Sequence, residues 1–364
     1  MQATFIPSAQ INSDLGVVNA ARVSLNKKSE WSLVEVGNNQ NGILKETDVK
    51  LIQYLAKHNH WTPFAHSRLY FKITWPTGQQ ELSFRRLCNL KGFEWDYYTA
   101  PDSTTLTIPS VQIFKGSLYA WAKYFVNVDY PETMHYIHKA MYDKYPVSAQ
   151  ALTNKEVEYF THSSIATEMS EEYVIQQRWW NVACATLLVK VPIFVARQIR
   201  TSQVGIAYSD LYVEGESFVY NEVSRRYVND EPSFYTILQW RMRKGKNVKQ
   251  GSTGIASDVI QSWACRLQTE KAAADTEAYN HLINNDHIAP EQARCMLPQS
   301  MYTEFYMTAT LHRWAQWLSL RLEQHVQEET RYIASRVLDE LEDEYPTWAN
   351  QYITKEMESC YIAP

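Results

Sequence analysis

From Arg68 to Trp75 the chain alternates: Leu69, Phe71, Ile73 and Trp75 fall on one side, Arg68, Tyr70, Lys72 and Thr74 on the other. A period of two predicts a half-buried strand. Leu187-Leu-Val-Lys-Val191 predicts a second strand, and Pro192 suits the first turn of a helix carrying Ile193, Phe194 and Arg197. Elsewhere the period is three and four. Ser13-Asp14 can cap a helix bearing Val17, Val18 and Ala21, and Thr47-Asp48 one bearing Val49, Ile52 and Leu55. The second should stop near His58-Asn59-His60, because Asn tolerates the left-handed position and Thr62-Pro63 forbids continuation. The most regular pattern is Leu311, Trp314, Ala315, Leu318, Leu322 and Val326, a helix with one buried stripe. Arg321 and His325, four apart, would share another face of it.

Residues 77–185 carry apolar helical stretches, Leu118 to Phe125 and Met134 to Met141, with turns around Pro109, Pro131 and Pro146. They read as a folded, mostly helical insertion between 1–76 and 186–364, without a catalytic pattern of its own.

Composition narrows the classes. The chain has 364 residues, 45% hydrophobic and 21% charged, ordinary for a globular protein. A net charge of −5 gives no long-range pull on nucleic acid, so an anion site has to be built locally. No stretch reaches the roughly 18 apolar residues of a membrane span, and Met1-Gln-Ala-Thr-Phe-Ile-Pro has no basic, apolar leader. Cys88, Cys184, Cys265, Cys295 and Cys360 show no C-x-x-C spacing, which argues against a disulfide framework or a metal site. A reduced, cytoplasmic protein is expected.

One stretch concentrates chemistry. Pro192 to Gln198 ends in Ala-Arg-Gln, Arg200 follows, and Asn221-Glu-Val-Ser-Arg-Arg-Tyr227 packs an acid, a hydroxyl, two guanidiniums and a phenol together. Guanidinium forks and hydroxyls are the groups that hold a phosphate monoester.

Four blocks in order resemble the flavin-dependent thymidylate synthases, the ThyX family, and span a little over half of the chain. They are Ala20-Ala-Arg-Val-Ser24; Tyr54-Leu55-x-Lys57-His58-x-His60-x-Thr62-Pro63-Phe64-x-His66; Lys190 to Tyr227; and Arg294 through Leu297-Pro298 and Tyr302-Thr303 to Leu320-Arg321-Leu322-x-x-His325-x-Gln327-x-Glu329. The resemblance implies an α+β fold, a small antiparallel sheet with long helices, to which the insertion is added. It implies reductive methylation of dUMP to dTMP with FAD, methylenetetrahydrofolate and NADPH, in a homotetramer with shared active sites. By matching positions, Gln198, Glu222, Val223, Ser224, Arg226, Arg294 and Arg321 would bind dUMP. Ser24, His60, Thr62, Arg200, Gln203, Asn221, Glu222, His312 and Gln316 would bind FAD. Arg321, His60 and Ser224 would be catalytic, Arg321 at the uracil ring. Arg225, at a family-variable position, would matter much less than Arg226. Cys295 would be a small buried hydrophobe, since a reduced flavin removes the need for a thiolate at C6.

The chain also departs from the pattern. The family's Arg-His-Arg is Thr201-Ser202-Gln203 here, T-P-F-E-H has Ala65 for its glutamate, and Thr310, His312 and Gln316 replace usual residues. His312 would be charged only part of the time near neutral pH. Residues 209–220 interrupt the signature. Some phage-encoded members relax the same motif, so the location expected is the cytoplasm, the host's if the chain is phage-encoded. Two alternatives stay open: a flavoenzyme modifying C5 of another pyrimidine nucleotide, and a non-catalytic nucleotide-binding or structural protein on the same fold.

Overall fold

The computed structural model describes residues 1–36, 39–74, 93–97, 111–127, 134–154, 166–201, 218–227, 230–245 and 251–350. Its architecture is α+β, two antiparallel four-stranded sheets surrounded by helices. The first sheet has the order β1 (Gln2–Phe5), β8 (Cys184–Pro192), β12 (Tyr302–Thr310), β9 (Val219–Glu222). The second has the order β5 (Phe93–Tyr97), β6 (Val111–Ser117), β4 (Arg68–Thr74), β7 (Ala166–Met169). Two ribbons, β2 (Ser32–Val36) with β3 (Asn39–Ile43) and β10 (Arg241–Arg243) with β11 (Ser252–Ile255), complete the strands. The stretch 77–185 thus contributes β5, β6 and β7 as well as the helices Leu118–Asn127, His135–Lys144, Pro146–Thr153 and Glu171–Gln176. β6 and β7 pair with β4, which precedes the stretch, and β5 pairs with β6.

Each sheet has its own core. Leu187, Val189, Phe305 and Met307 pack against Trp314, Leu318, Ile333 and Val337 from the helices Leu311–Arg321 and Glu328–Glu344. Leu69, Phe71, Phe114 and Trp121 pack with Val17, Ile52 and Phe64.

Several local expectations need amendment. Ser13 does cap the Asp14–Arg22 helix, accepting from Gly16 N. The next helix runs Glu46–Lys57 with Lys45, not Thr47, at its N-cap. Asp48 is turned inward instead, where it accepts from Arg22 Nε at 3.0 Å and from Ser29 Oγ at 2.5 Å. The helix stops at His58, Asn59 takes φ 56°, and Pro63 starts the short Thr62–His66 helix. The C-terminal stripe breaks at Arg321, so His325 and Val326 lie in the turn before Glu328–Glu344 and share no face with Arg321.

β4 is not half-buried. Arg68, Leu69, Tyr70 and Phe71 are all inside, and Trp75 lies outside the described residues. Arg68 donates from Nη2 to Glu171 Oε1 at 2.8 Å and to Cys184 O at 3.2 Å. Its Nη1 reaches His66 O and Thr186 Oγ1, both at 3.2 Å. Tyr70 OH donates to Glu171 Oε1 at 2.6 Å, and Glu171 Oε2 accepts from Ser8 Oγ and from Asn12 Nδ2. One carboxylate and one guanidinium therefore tie the second sheet to the first sheet and to the N-terminal turn. Arg68 holds the Glu171 carboxyl below its usual range despite burial.

Glu171→Ala leaves the Arg68 charge buried and unpaired, which costs about 3–5 kcal/mol. Urea unfolding should show that loss. Glu46→Ala, which breaks the exposed Glu46–Lys50 pair, should cost only about 0.3–0.5 kcal/mol.

Candidate active site

The signature is carried by β9 and the turn after it. Pairing to β12 sets Asn221 opposite Tyr306 and Glu222 opposite Phe305. Val223 N donates to Glu304 O at 2.8 Å, and its side chain packs on the small cluster of Ala20, Val23 and Tyr306. Val223 is thereby a structural residue of this edge. Asn221 Nδ2 donates to Ala20 O at 2.8 Å, and Ser224 N to Ser24 O at 3.0 Å. These two bonds hold the first block against the signature. Ser24 Oγ bonds back to Ala21 O at 2.7 Å.

On the other flank, the Ile193–Arg200 helix brings up Gln198 and Arg200. Arg200 pairs with Glu222 Oε2, and its guanidinium lies 5.3 Å from the Tyr220 ring. Glu222 Oε1 accepts from Thr303 Oγ1 at 2.6 Å. Arg321, at the C-terminal end of its helix, donates from Nη2 to Gln198 O at 2.8 Å. Its Nε is buried with no hydrogen-bond partner among the described residues, as is the Tyr220 hydroxyl. Burial draws the Arg321 pKa down and pushes that of Tyr220 up.

Gln198, expected to touch the nucleotide, has its amide engaged inside the protein. Nε2 donates to Gln327 and Oε1 accepts from Thr330 Oγ1 at 2.9 Å. Gln327 Nε2 donates to Glu329 Oε2 at 2.9 Å, and Glu329 takes a bidentate pair from Arg241 Nη2 at 2.8 and 2.9 Å. This chain of contacts fixes the wall of a cleft of about 800 Å³ lined by Gln198, Arg241, Lys244, Arg321, His325 and Glu329. Sequence reasoning misses the β10–β11 ribbon and Arg241, because β10 lies outside the matched blocks. It also misses Tyr220, although that residue immediately precedes Asn221.

Ser224 and Arg226 lie at the surface end. Arg226 is exposed, its Nε 3.3 Å from Ser224 Oγ and its guanidinium 5.0 Å from the Tyr227 ring. Its neighbour behaves differently. Arg225 is buried and donates from Nη1 to Asp230 O at 2.5 Å and Asp230 Oδ1 at 3.1 Å. Arg225, expected to matter much less than Arg226 for the nucleotide, is tied to Asp230 beyond the signature.

Other expected site residues lie apart. His312 and Gln316 bond each other at 2.9 Å near the start of the Leu311–Arg321 helix. Nine residues of rise separate His312 from Arg321, about 14 Å. Burial lowers the His312 pKa to about 4, so the ring is neutral at pH 7 rather than partly charged. His60 is exposed and Thr62 half-buried, on the turn into a helix that packs against β9. Arg294 is exposed beside the long Asp258–Asn284 helix, with Nε bonded to Glu291 O at 3.2 Å. Cys295 next to it is exposed, not buried, because the Arg294–Met296 turn sits on the outside of that helix. Gln203 lies outside the described residues, as does the rest of 202–217.

The model of the family described as "Thymidylate synthase complementing protein" matches residues 8–145 and 176–347. The chain belongs to this family. A flavin-dependent thymidylate synthase of Thermus thermophilus is 34% identical over 165 residues, 44% of this chain and 53% of the relative. One from Aquifex aeolicus is 23% identical over 345 residues, 90% of this chain and 93% of the relative. The chain spans about half the length of the first of these curated relatives. Among solved structures, the UMP/dUMP methylase PolB from Streptomyces cacaoi bound with 5-Br UMP aligns with a TM-score of 0.42 at 24% identity, covering 51% of this chain and 80% of that one. Among the described residues of this Thy1 protein, no helix is long and apolar enough to cross a membrane.

A buried and a half-buried histidine make stability depend on pH. Burial lowers His66 to about 3 and His312 to about 4, below the ordinary value of 6.5. The unfolded chain therefore binds more protons between these values and 6.5, and the two residues' contribution is lost as pH falls through that window. His312→Gln should flatten the denaturation midpoint against pH between 6.5 and about 4 and leave the profile above pH 7 unchanged. An identical slope in the variant would contradict the neutral, half-buried imidazole.

Proposed function

We propose that this Thy1 protein is a flavin-dependent thymidylate synthase that converts dUMP to dTMP, with methylenetetrahydrofolate as carbon donor and NADPH as reductant of FAD. The observation that carries the reading is the continuous run from Ser224–Arg226 through Glu222–Arg200 to Gln198–Arg321. It combines an exposed guanidinium and hydroxyl at one end with a half-buried guanidinium at the other. The span suits a nucleotide whose phosphate is clamped and whose ring carbonyls are polarised.

In this reading Arg226 and Ser224 hold the phosphate, and a charge-assisted fork fixes its orientation as well as its position. Arg321 donates to a ring carbonyl. Its Nη2 bond to Gln198 O and the Gln327–Thr330 clamp on Gln198 keep it in place, so little reorganisation is needed when charge develops. Glu222, paired with Arg200 and accepting from Thr303, orients the edge of the site.

The residues also fit a flavin. Arg321 Nε and Tyr220 OH are buried donors without partners among the described residues. Thr62, Asn221, Arg200, His312 and Gln316 add hydroxyl, amide, guanidinium and imidazole groups. A bound flavin would supply the hydride, and no cysteine nucleophile is then required at C6. Arg294 and the His312–Gln316 pair stand apart from Arg321 within one chain. This separation supports a homotetramer in which each site draws on more than one subunit. The expected location is the cytoplasm.

Arg226→Ala should weaken dUMP binding about tenfold to a hundredfold, the value of one charge-assisted bond, while leaving the melting temperature unchanged. Arg225→Ala should do the reverse and lower the melting temperature. Calorimetric titration and thermal unfolding of both variants distinguish these roles. Unchanged dUMP affinity in Arg226→Ala would give the signature another job.

Arg321→Ala should slow oxidation of the reduced flavin by about 10²–10³ at saturating dUMP and methylenetetrahydrofolate, the usual loss for one preorganised donor. A rate within about threefold of wild type, less than the tenfold that 1.36 kcal/mol represents, would remove Arg321 from the chemistry.

A further inference from the structure

A second concave feature lies outside the cleft. Asn59, in the left-handed region at φ 56°, reverses the chain after the Glu46–Lys57 helix and projects Trp61 over the start of the Leu118–Asn127 helix. Trp61 is 40% exposed and stacks on Tyr119, ring centroids 5.7 Å apart and planes 29° from parallel. Lys123, one turn further along, places Nζ 5.6 Å from the Tyr119 centroid and is exposed. His60, Trp61, Tyr119 and Lys123 surround a notch of about 70 Å³ floored by Leu55 and Phe64.

The chemistry of the notch is specific. An indole left 40% exposed over an apolar floor offers a face for stacking a flat ring. The ammonium beside it favours a negative group on that ring's substituent. The notch is too small for a whole nucleotide, and among the described residues it has one lysine rather than the guanidinium forks that suit a phosphate. Its position is informative as well: Thr62–His66, the helix that starts directly after Trp61, packs on β9, which carries Asn221 and Glu222.

We propose that Trp61, Tyr119 and Lys123 form a subsite for an aromatic carboxylate. Trp61 stacks on the ring and Lys123 pairs with the carboxylate. The inference rests on the proposed reaction for its ligand: the aryl-glutamate portion of the one-carbon carrier is an aromatic amide bearing carboxylates. Trp61 and Lys123 are thus specificity-determining residues for the carbon donor, and have no part in holding dUMP.

The test uses the full chain with FAD, and p-aminobenzoyl-glutamate as the probe. Calorimetry or saturation-transfer NMR should detect binding to the wild type, weakening with added salt. Trp61→Ala should weaken it about tenfold, the value of one stacking contact. Trp61→Phe should restore most of the affinity, and Lys123→Gln should abolish most of the salt dependence. Both positions are partly exposed, so the variants should keep the wild-type melting temperature. Adenosine 2′,5′-bisphosphate, standing in for the reductant, should not displace the probe.

Equal probe affinity in wild type, Trp61→Ala and Lys123→Gln would overturn the inference. So would displacement by the bisphosphate, or absence of probe binding. A dUMP titration on the same samples separates the two readings. Normal dUMP affinity without a probe response refutes the aryl subsite alone, whereas loss of both refutes the proposed reaction as well.

Discussion

The structure depends on burying one ion pair. Arg68 and Glu171 come from distant parts of the chain and meet where the two sheets adjoin. Taking both charges out of water is expensive and is offset only when the remaining donors and lone pairs are filled. Here they are filled: Cys184 O and Thr186 of the first sheet, His66 O and Tyr70 beside the second, and Ser8 and Asn12 from the N-terminal turn. The geometry therefore specifies one docking of the sheets. The same contacts continue toward the site. Thr186 Oγ1 meets Thr308 Oγ1 at 2.7 Å, and Thr308 Oγ1 meets His66 Nδ1 at 2.7 Å. Thr308 lies on β12, the strand to which the signature strand β9 is paired.

This dependence also explains which features are legible in the sequence. The period-two run at Arg68 is a strand, and the three- and four-residue steps after Leu311 are a helix. Alternation, however, records polarity and not solvent. It cannot tell a surface arginine from one whose carboxylate partner lies 103 residues away. The end of the helix at Arg321 is hidden for a related reason: apolar residues continue in register to Val326, while the turn is fixed by the later Gln327–Glu329 contacts with Gln198 and Arg241. Pairing of β4 with β6 and β7 is likewise invisible, because non-local pairing leaves little mark on a local pattern.

At the site, what lies close in sequence is readable and what is assembled from afar is not. Asn221 to Arg226 form one contiguous edge. Gln198 and Arg225 match or adjoin binding positions, yet their polar groups face inward partners, which a motif cannot reveal. With a net charge of −5, the cations of the candidate site are placed locally: Arg226 at the rim, Arg200 against Glu222 and Arg321 over Gln198.

The most direct test of the account is the product formed from dUMP. Purified chain with FAD, NADPH, methylenetetrahydrofolate and dUMP, UMP or dCMP should be assayed by separating the nucleotides. The account predicts dTMP from dUMP, dependent on both folate and reduced flavin, with the other nucleotides unchanged. A chain that binds FAD but modifies UMP or dCMP in preference to dUMP, or leaves all three unaltered, would contradict it.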